Sequence, residues 1–234
     1  MIWTLYYEYG YFFGALLFGI FWILLFFNRK DLRKEILISS FCFSLLGISE
    51  IIFREYWQPK TLFSLVERFG VGIESFLLCF FLGGISAVLY EFIFRKREIS
   101  LRHKIKNHHI FITGFMLLFI MLIFEICLPN YTIYTSSFLI LFSIFIGVFH
   151  FRKDLETYIF EAGAFFMIFY ILVLMILLPA DYFNRFYNYK YLTGLKFLGI
   201  PAEEYLFGFA VGILGAFLYK FLYDKKVVDI KKSK

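Results

Sequence analysis

The chain has 234 residues, 61% of them hydrophobic and 24% aromatic, whereas soluble domains sit near about 45–50% apolar. This excludes an ordinary soluble globular domain and predicts a polytopic membrane protein. The net charge of +6 does not point to nucleic acid, because the basic residues lie in loops between apolar runs.

Apolar runs of about 20 residues, the length that crosses a bilayer, predict seven transmembrane helices. They fall near 5–27, 35–53, 71–94, 108–128, 132–149, 156–178 and 200–223. The first run continues to Phe27 without a basic leader or a small-residue cleavage site, so it is expected to stay as a helix. Cys42, Cys79 and Cys127 each stand alone within an apolar run. His103, His108, His109 and His150 sit at span ends without metal-ligand spacing, and no metal is expected.

Loop charges set the direction. With the N-terminus outside, 18 of the 24 lysines and arginines fall on the cytoplasmic side. Only Arg54, Lys60, Arg68, Arg185, Lys190 and Lys196 remain outside. This positive-inside pattern predicts an N-out, C-in, multi-pass protein of the cell membrane.

The third and seventh spans align without a gap at an offset of 129, "GVGIESFLLCFFLGGISAVLYEF" over "GIPAEEYLFGFAVGILGAFLYKF". Gly70 meets Gly199, Glu74 meets Glu203, Gly83 meets Gly212 and Tyr90 meets Tyr219. The tetrapeptide RKDL occurs at Arg29–Leu32 and Arg152–Leu155, an offset of 123. The fold class expected is therefore all-α, with a parallel 3+1+3 repeat about the membrane normal. Its parts are a first three-helix unit (1–94), a basic loop with the connecting fourth helix (95–131) and a second three-helix unit with a basic tail (132–234). Glu204, Gly208, Gly212 and Ala216 recur every four residues, with Ser75, Cys79, Gly83 and Ala87 as counterparts. Such small-residue stripes let helices approach closely, and these two are expected to pack through them, against each other.

Five carboxylates, Glu50, Glu74, Glu125, Glu203 and Glu204, gather toward the outer half of the spans. Intramembrane acids commonly face the bundle interior and mark function. First-turn acids after Pro201 are also favoured by the helix dipole alone. Adjacent helix positions point about 100° apart. Glu204 is thus expected in the tight helix contact, and Glu203 and Glu74 toward an adjacent groove. Aromatic side chains there could line a groove for a long apolar molecule and stabilise a cation.

Pro201-Ala202-Glu203-Glu204-Tyr205-Leu206-Phe207 resembles the Pro-x-Glu-Glu-x-x-Phe pattern of the membrane-integral lycopene cyclase domain family. That resemblance implies carotenoid biosynthesis by an intramolecular lyase or isomerase. An acid protonates the terminal alkene of lycopene or a related linear polyene, an internal double bond attacks the cation, and a base removes a proton. By the resemblance Glu203 and Glu204 are candidates for acid and electrostatic stabiliser, with Glu74 as their counterpart. Pro201, Tyr205, Phe207, Glu50 and Glu125 are supporting residues. The first copy departs from the pattern, reading Gly72-Ile73-Glu74-Ser75 without the proline or the second acid.

The partners expected are the apolar polyene and the lipid bilayer, with a homo-oligomer or other carotenoid-pathway enzymes as further associations. No cofactor is evident, since no Gly-x-Gly-x-x-Gly fingerprint is present; a flavin or nicotinamide requirement stays open. The layout is similar to that of microbial rhodopsins, but Lys220 lies at the end of its helix and not at the middle, where a retinal lysine belongs. The Glu-Glu pair is similar to that of membrane CAAX-type proteases, yet Gly208 stands where their arginine should be. The alternatives are a non-catalytic carotenoid- or lipid-binding bundle and a proton-coupled transporter.

Overall fold

A computed structural model describes residues 9–51, 57, 59–100, 137, 141, 152–177 and 182–229. The expected spans near 108–128 and 132–149, including Glu125, lie outside the described residues, apart from Ser137 and Leu141. The elements are α1 (Gly10–Asn28), α2 (Arg33–Ser44), α3 (Leu65–Phe69), α4 (Ile73–Ile93), β1 (Lys96–Ser100), α5 (Glu156–Leu177), α6 (Tyr182–Phe186), β2 (Lys196–Phe197), β3 (Ile200–Pro201), α7 (Ala202–Leu222) and β4 (Lys225–Asp229).

Among the described residues, four helices are long and apolar enough to cross a membrane: Gly10–Asn28, Ile73–Ile93, Lys153–Leu177 and Ala202–Leu222. At 1.5 Å per residue a 21-residue helix is about 31 Å long, the thickness of the hydrocarbon core. Their outer faces remain apolar. Leu16, Ile20, Ile23 and Leu24 on α1, and Ile168, Leu172 and Ile176 on α5, are all exposed, as lipid-facing stripes would be. The chain is a membrane protein.

The second expected span, 35–53, is not one continuous α-helix. α2 tightens into a 3-10 segment at Leu45–Ile51. Ser44 and Ser49 hydroxyls donate to the carbonyls of Phe41 and Leu46 three residues back. Gly47 there lies against the backbone of Phe76, where an added Cβ would come within 2.9 Å. Serine side chains competing for helix carbonyls, next to a close backbone approach, favour this tighter winding.

α2 packs along α4, α5 packs along α7, and α4 and α7 cross each other. The small-residue stripes do not meet each other, contrary to the expectation from the sequence. Gly83 of α4 receives Phe43 of α2, and Gly212 of α7 receives Phe166 and Gly163 of α5. Gly208 lies against Tyr170. Each stripe therefore serves a Phe or Tyr from the preceding long helix, α2 for α4 and α5 for α7, because a ring fills the groove that a missing Cβ leaves. Ala87 and Ala216 are fully buried, and Cys79 is half-buried. The α4–α7 crossing uses a different face, where Gly215 meets Ser86. The core behind these contacts holds Phe18, Ile36, Phe43, Ile85, Val88 and Phe166.

Residues 123 or 129 apart make matching contacts. Arg29 donates to the carbonyls of Glu91 at 2.6 Å and Lys96 at 2.7 Å, and to Asp31 at 2.9 Å. Arg152 donates to the carbonyls of Lys220 at 2.8 Å and Lys225 at 2.5 Å, and to Asp154 at 2.9 Å. Each RKDL thus ties the start of one helix to the end of another. The guanidinium hydrogen bonds hold Asp31 below the usual carboxylate range. Gly70 and Gly199 both adopt positive φ, 88° and 79°, in the turns that lead into α4 and α7. This conformation is open to glycine without steric cost.

The basic loop and tail contain regular structure that the sequence did not announce. β1 and β4 form an antiparallel ribbon with Glu98 opposite Val227 at its centre. Arg95 and Asp224, with φ of 50° and 49°, turn the chain into these two strands.

Candidate functional site

The end of the bundle opposite the ribbon carries the acids. α7 starts at Pro201, whose ψ of 141° is extended and which donates no hydrogen bond, so Glu203 and Glu204 occupy the first helical turn. α4 starts likewise after Gly72, with Glu74 in its first turn. Neither helix has a side-chain cap at its N-cap residue.

Glu203 and Glu74, expected to face a groove, instead hold the loops in front of their helices. Glu203 accepts from the Thr193 amide at 2.7 Å and the Thr193 hydroxyl at 2.8 Å. Glu74 accepts from the Leu62 amide at 2.5 Å. Glu50, at the end of the 3-10 segment, accepts from the Gly72 amide at 2.7 Å, so Glu50 and Glu74 converge on the turn before α4. All three side chains are buried. Each satisfies a backbone N–H that would otherwise be stranded in an apolar setting.

Glu204 is different. It is 3% exposed, and its two oxygens accept from two phenols: Tyr170 of α5 at 2.6 Å and Tyr187 at 2.5 Å. No backbone amide is among these partners. Its counterpart Ser75 also meets a phenol, that of Tyr11, at 2.6 Å. Trp57 bridges the two sides, with its ring 5.2 Å from Tyr11 and 4.7 Å from Tyr187. Trp57 and Tyr187 also form an antiparallel backbone bridge, which fixes this roof. Beneath it Tyr170 stacks on Phe18 at 5.7 Å and meets Phe207 at 5.9 Å. A single carboxyl group with two phenol partners thus sits in an aromatic enclosure between α1, α4, α5 and α7. Such a group can hold negative charge by hydrogen bonding, and aromatic rings are a residue type that can stabilise a cation.

The supporting residues of the motif have local tasks. Phe207 packs on Tyr170. The Tyr205 hydroxyl donates to the Phe197 carbonyl at 2.9 Å, and Pro201 pairs with Lys196, so both fix the β2–β3 hairpin that enters α7. Sequence reasoning missed Tyr11, Trp57, Tyr170 and Tyr187. In a chain with 17 tyrosines and 36 phenylalanines, no spacing marks those that meet a carboxylate.

A second polar cluster lies at the ribbon end. Lys220 is fully buried and contacts Glu35, Glu91 at 2.6 Å and Glu98 at 3.6 Å. Three carboxylates, those of Glu35, Glu91 and Glu98, have oxygens within 4.8 Å of one another, a spacing that could hold a metal ion. The Lys220 ammonium already lies among them and supplies the positive charge, so they do not fit a resident metal.

Comparison with curated proteins and with solved structures returns no match. Residues 130–222, which contain α5, Tyr187, Glu204 and the whole of α7, match the lycopene cyclase family model. Over that stretch the chain is similar to a lycopene cyclase domain, which supports a link to carotenoid biosynthesis.

Proposed function

We propose that this chain closes rings on the ends of a linear polyene, lycopene or a close relative, by proton-initiated chemistry within the membrane. The observation that carries this reading is Glu204: a buried carboxyl on the family motif, held by two phenols inside an aromatic enclosure. A proton from the Glu204 carboxyl adds to the terminal alkene and leaves a tertiary cation. The next double bond attacks that cation and closes the ring by a new C–C bond. The cation so formed loses a proton from a neighbouring carbon to the Glu204 carboxylate, which restores the starting state. No atom or electron is gained, so product and substrate have equal mass, and the step itself calls for no flavin or nicotinamide.

Tyr170 and Tyr187 stabilise the carboxylate while the cation exists. The rings of Trp57, Tyr11 and Phe18, which pack around the two phenols, would stabilise the cation. Glu203, Glu74 and Glu50 shape the site by fixing the loops before α4 and α7. The proposed frame is a seven-helix, N-out, C-in protein of the cell membrane built as a 3+1+3 repeat. The matched contacts of Arg29 with Arg152, and of Gly83 with Gly212, support that frame. Its partners are the polyene and the bilayer.

The test is expression in bacterial cells that accumulate lycopene, followed by pigment analysis. The expected result is γ- or β-carotene with the mass of lycopene. Unchanged lycopene, with the protein present in the membrane, would contradict a self-sufficient cyclase and favour a non-catalytic carotenoid-binding bundle.

A further inference from the structure

The ribbon-end cluster plays no part in the chemistry proposed for Glu204. Lys220 of α7 touches Glu35 of α2, Glu91 of α4 and Glu98 of β1, and donates to the Ala87 carbonyl at 2.9 Å. Tyr158 of α5 donates to Glu91 at 2.6 Å. Lys220, Glu35 and Glu91 are each 1% exposed or less. Three acids and one ammonium are thus withdrawn from water where four helices and the ribbon meet.

The members are related in pairs. Lys220 follows Glu91 by 129 positions, and Tyr158 follows Glu35 by 123. These are the offsets at which Arg152 follows Arg29 and Gly212 follows Gly83. Glu98 faces Val227, again 129 positions on, across the ribbon. Each acid of this cluster before residue 100 therefore has a cationic or uncharged counterpart after residue 150. Two copies of the first set of elements, packed on each other in this geometry, would bring six carboxylates together with no lysine. Two copies of the second set would oppose Lys220 to Lys220 with no acid from these positions. Like charges gathered in a buried contact are strongly unfavourable, whereas the mixed pairing sets one ammonium among three carboxylates and offsets part of their charge.

We infer that Glu35, Glu91 and Glu98 on one side and Lys220 on the other form a charge-coded recognition surface between the two halves of the chain. Through it the elements before residue 100 select those after residue 150 and reject a copy of themselves. The inference is independent of the reading of Glu204.

The test uses the full chain in detergent, with thermal unfolding and gel filtration of Glu91→Lys, Lys220→Glu and the double reversal. Lys220→Glu leaves four acids without a cation and is expected to lower the unfolding temperature by about 10 °C or more, or to leave no monodisperse protein; Glu91→Lys leaves two acids with two ammonium groups and serves as the compensating change. The double reversal restores the opposite charges and is expected to recover at least half of the lost stability. Where a single variant does not fold, recovery of monodisperse protein in the double variant gives the same reading. A double reversal no more stable than Lys220→Glu, or Lys220→Glu as stable as the unaltered chain, would overturn the inference.

Discussion

Glu203 and Glu204 are neighbours in sequence with different work. Glu203 turns toward its own loop and accepts two bonds from Thr193; Glu204 turns inward to Tyr170 and Tyr187. The 100° step of a helix predicts that they diverge, but it does not say which way the loop lies. The acids were therefore legible in the sequence as a set, whereas the division of labour among them was not. The loop before each helix decides it. The phenols offer a direct probe. Tyr170→Phe and Tyr187→Phe each keep the ring and remove one donor to a charged group, an interaction of about 1.5–3 kcal/mol. Each is expected to lower the cyclisation rate roughly 10- to 100-fold with little change in the amount of folded protein. Initial rates of ring formation in isolated membranes at matched protein content would check this; full activity in both variants would remove the phenols from the account.

At the scale of elements, the small-residue stripes were visible in the sequence, and their partners were not. A period of four places Gly83 and Gly212 on a packing face, but composition alone does not tell which helix fills it. Phe43 and Phe166 fill these faces from the preceding long helix, while α4 and α7 meet through Ser86 and Gly215. Gly212 has the stricter requirement. An added Cβ would lie 2.8 Å from the Phe166 Cβ and 2.9 Å from the Gly163 Cα, and backbone cannot rotate away. Gly212→Ala is expected to destabilise the protein by about 1–3 kcal/mol net, despite the better helix propensity of alanine. A lowered unfolding temperature in detergent would bear this out, and an unchanged or raised one would mean that α5 and α7 can separate at no cost. The ribbon was missed for a related reason. Lys96–Ser100 and Lys225–Asp229 are short, charged segments that form strands only because each finds the other.

At the scale of the whole molecule, the described residues of a chain rich in Phe and Ile hold two buried polar centres, one at each end of the packed helices. Doubled motifs revealed much of this in advance. RKDL at Arg29 and Arg152 flagged a shared task, and the structure gives it: each arginine closes the far end of a neighbouring helix onto the following strand. The aligned endings "YEF" and "YKF" also contained Glu91 and Lys220, but charge at a span end reads as loop until both halves are folded together. Lys220 becomes a buried residue only through α2, α4 and β1, which no local pattern in α7 foretells. The chemistry proposed for the acid end is that one carboxyl, Glu204, gives and retakes the proton of ring closure. The most direct measurement compares the unaltered chain, Glu203→Gln and Glu204→Gln in lycopene-accumulating cells, with membrane content matched and carotenoids separated by mass and absorbance. Glu204→Gln is expected to lower cyclic product by about 100-fold or more, while Glu203→Gln, which keeps an oxygen for Thr193, retains most of it. Cyclic product undiminished in Glu204→Gln would contradict the account.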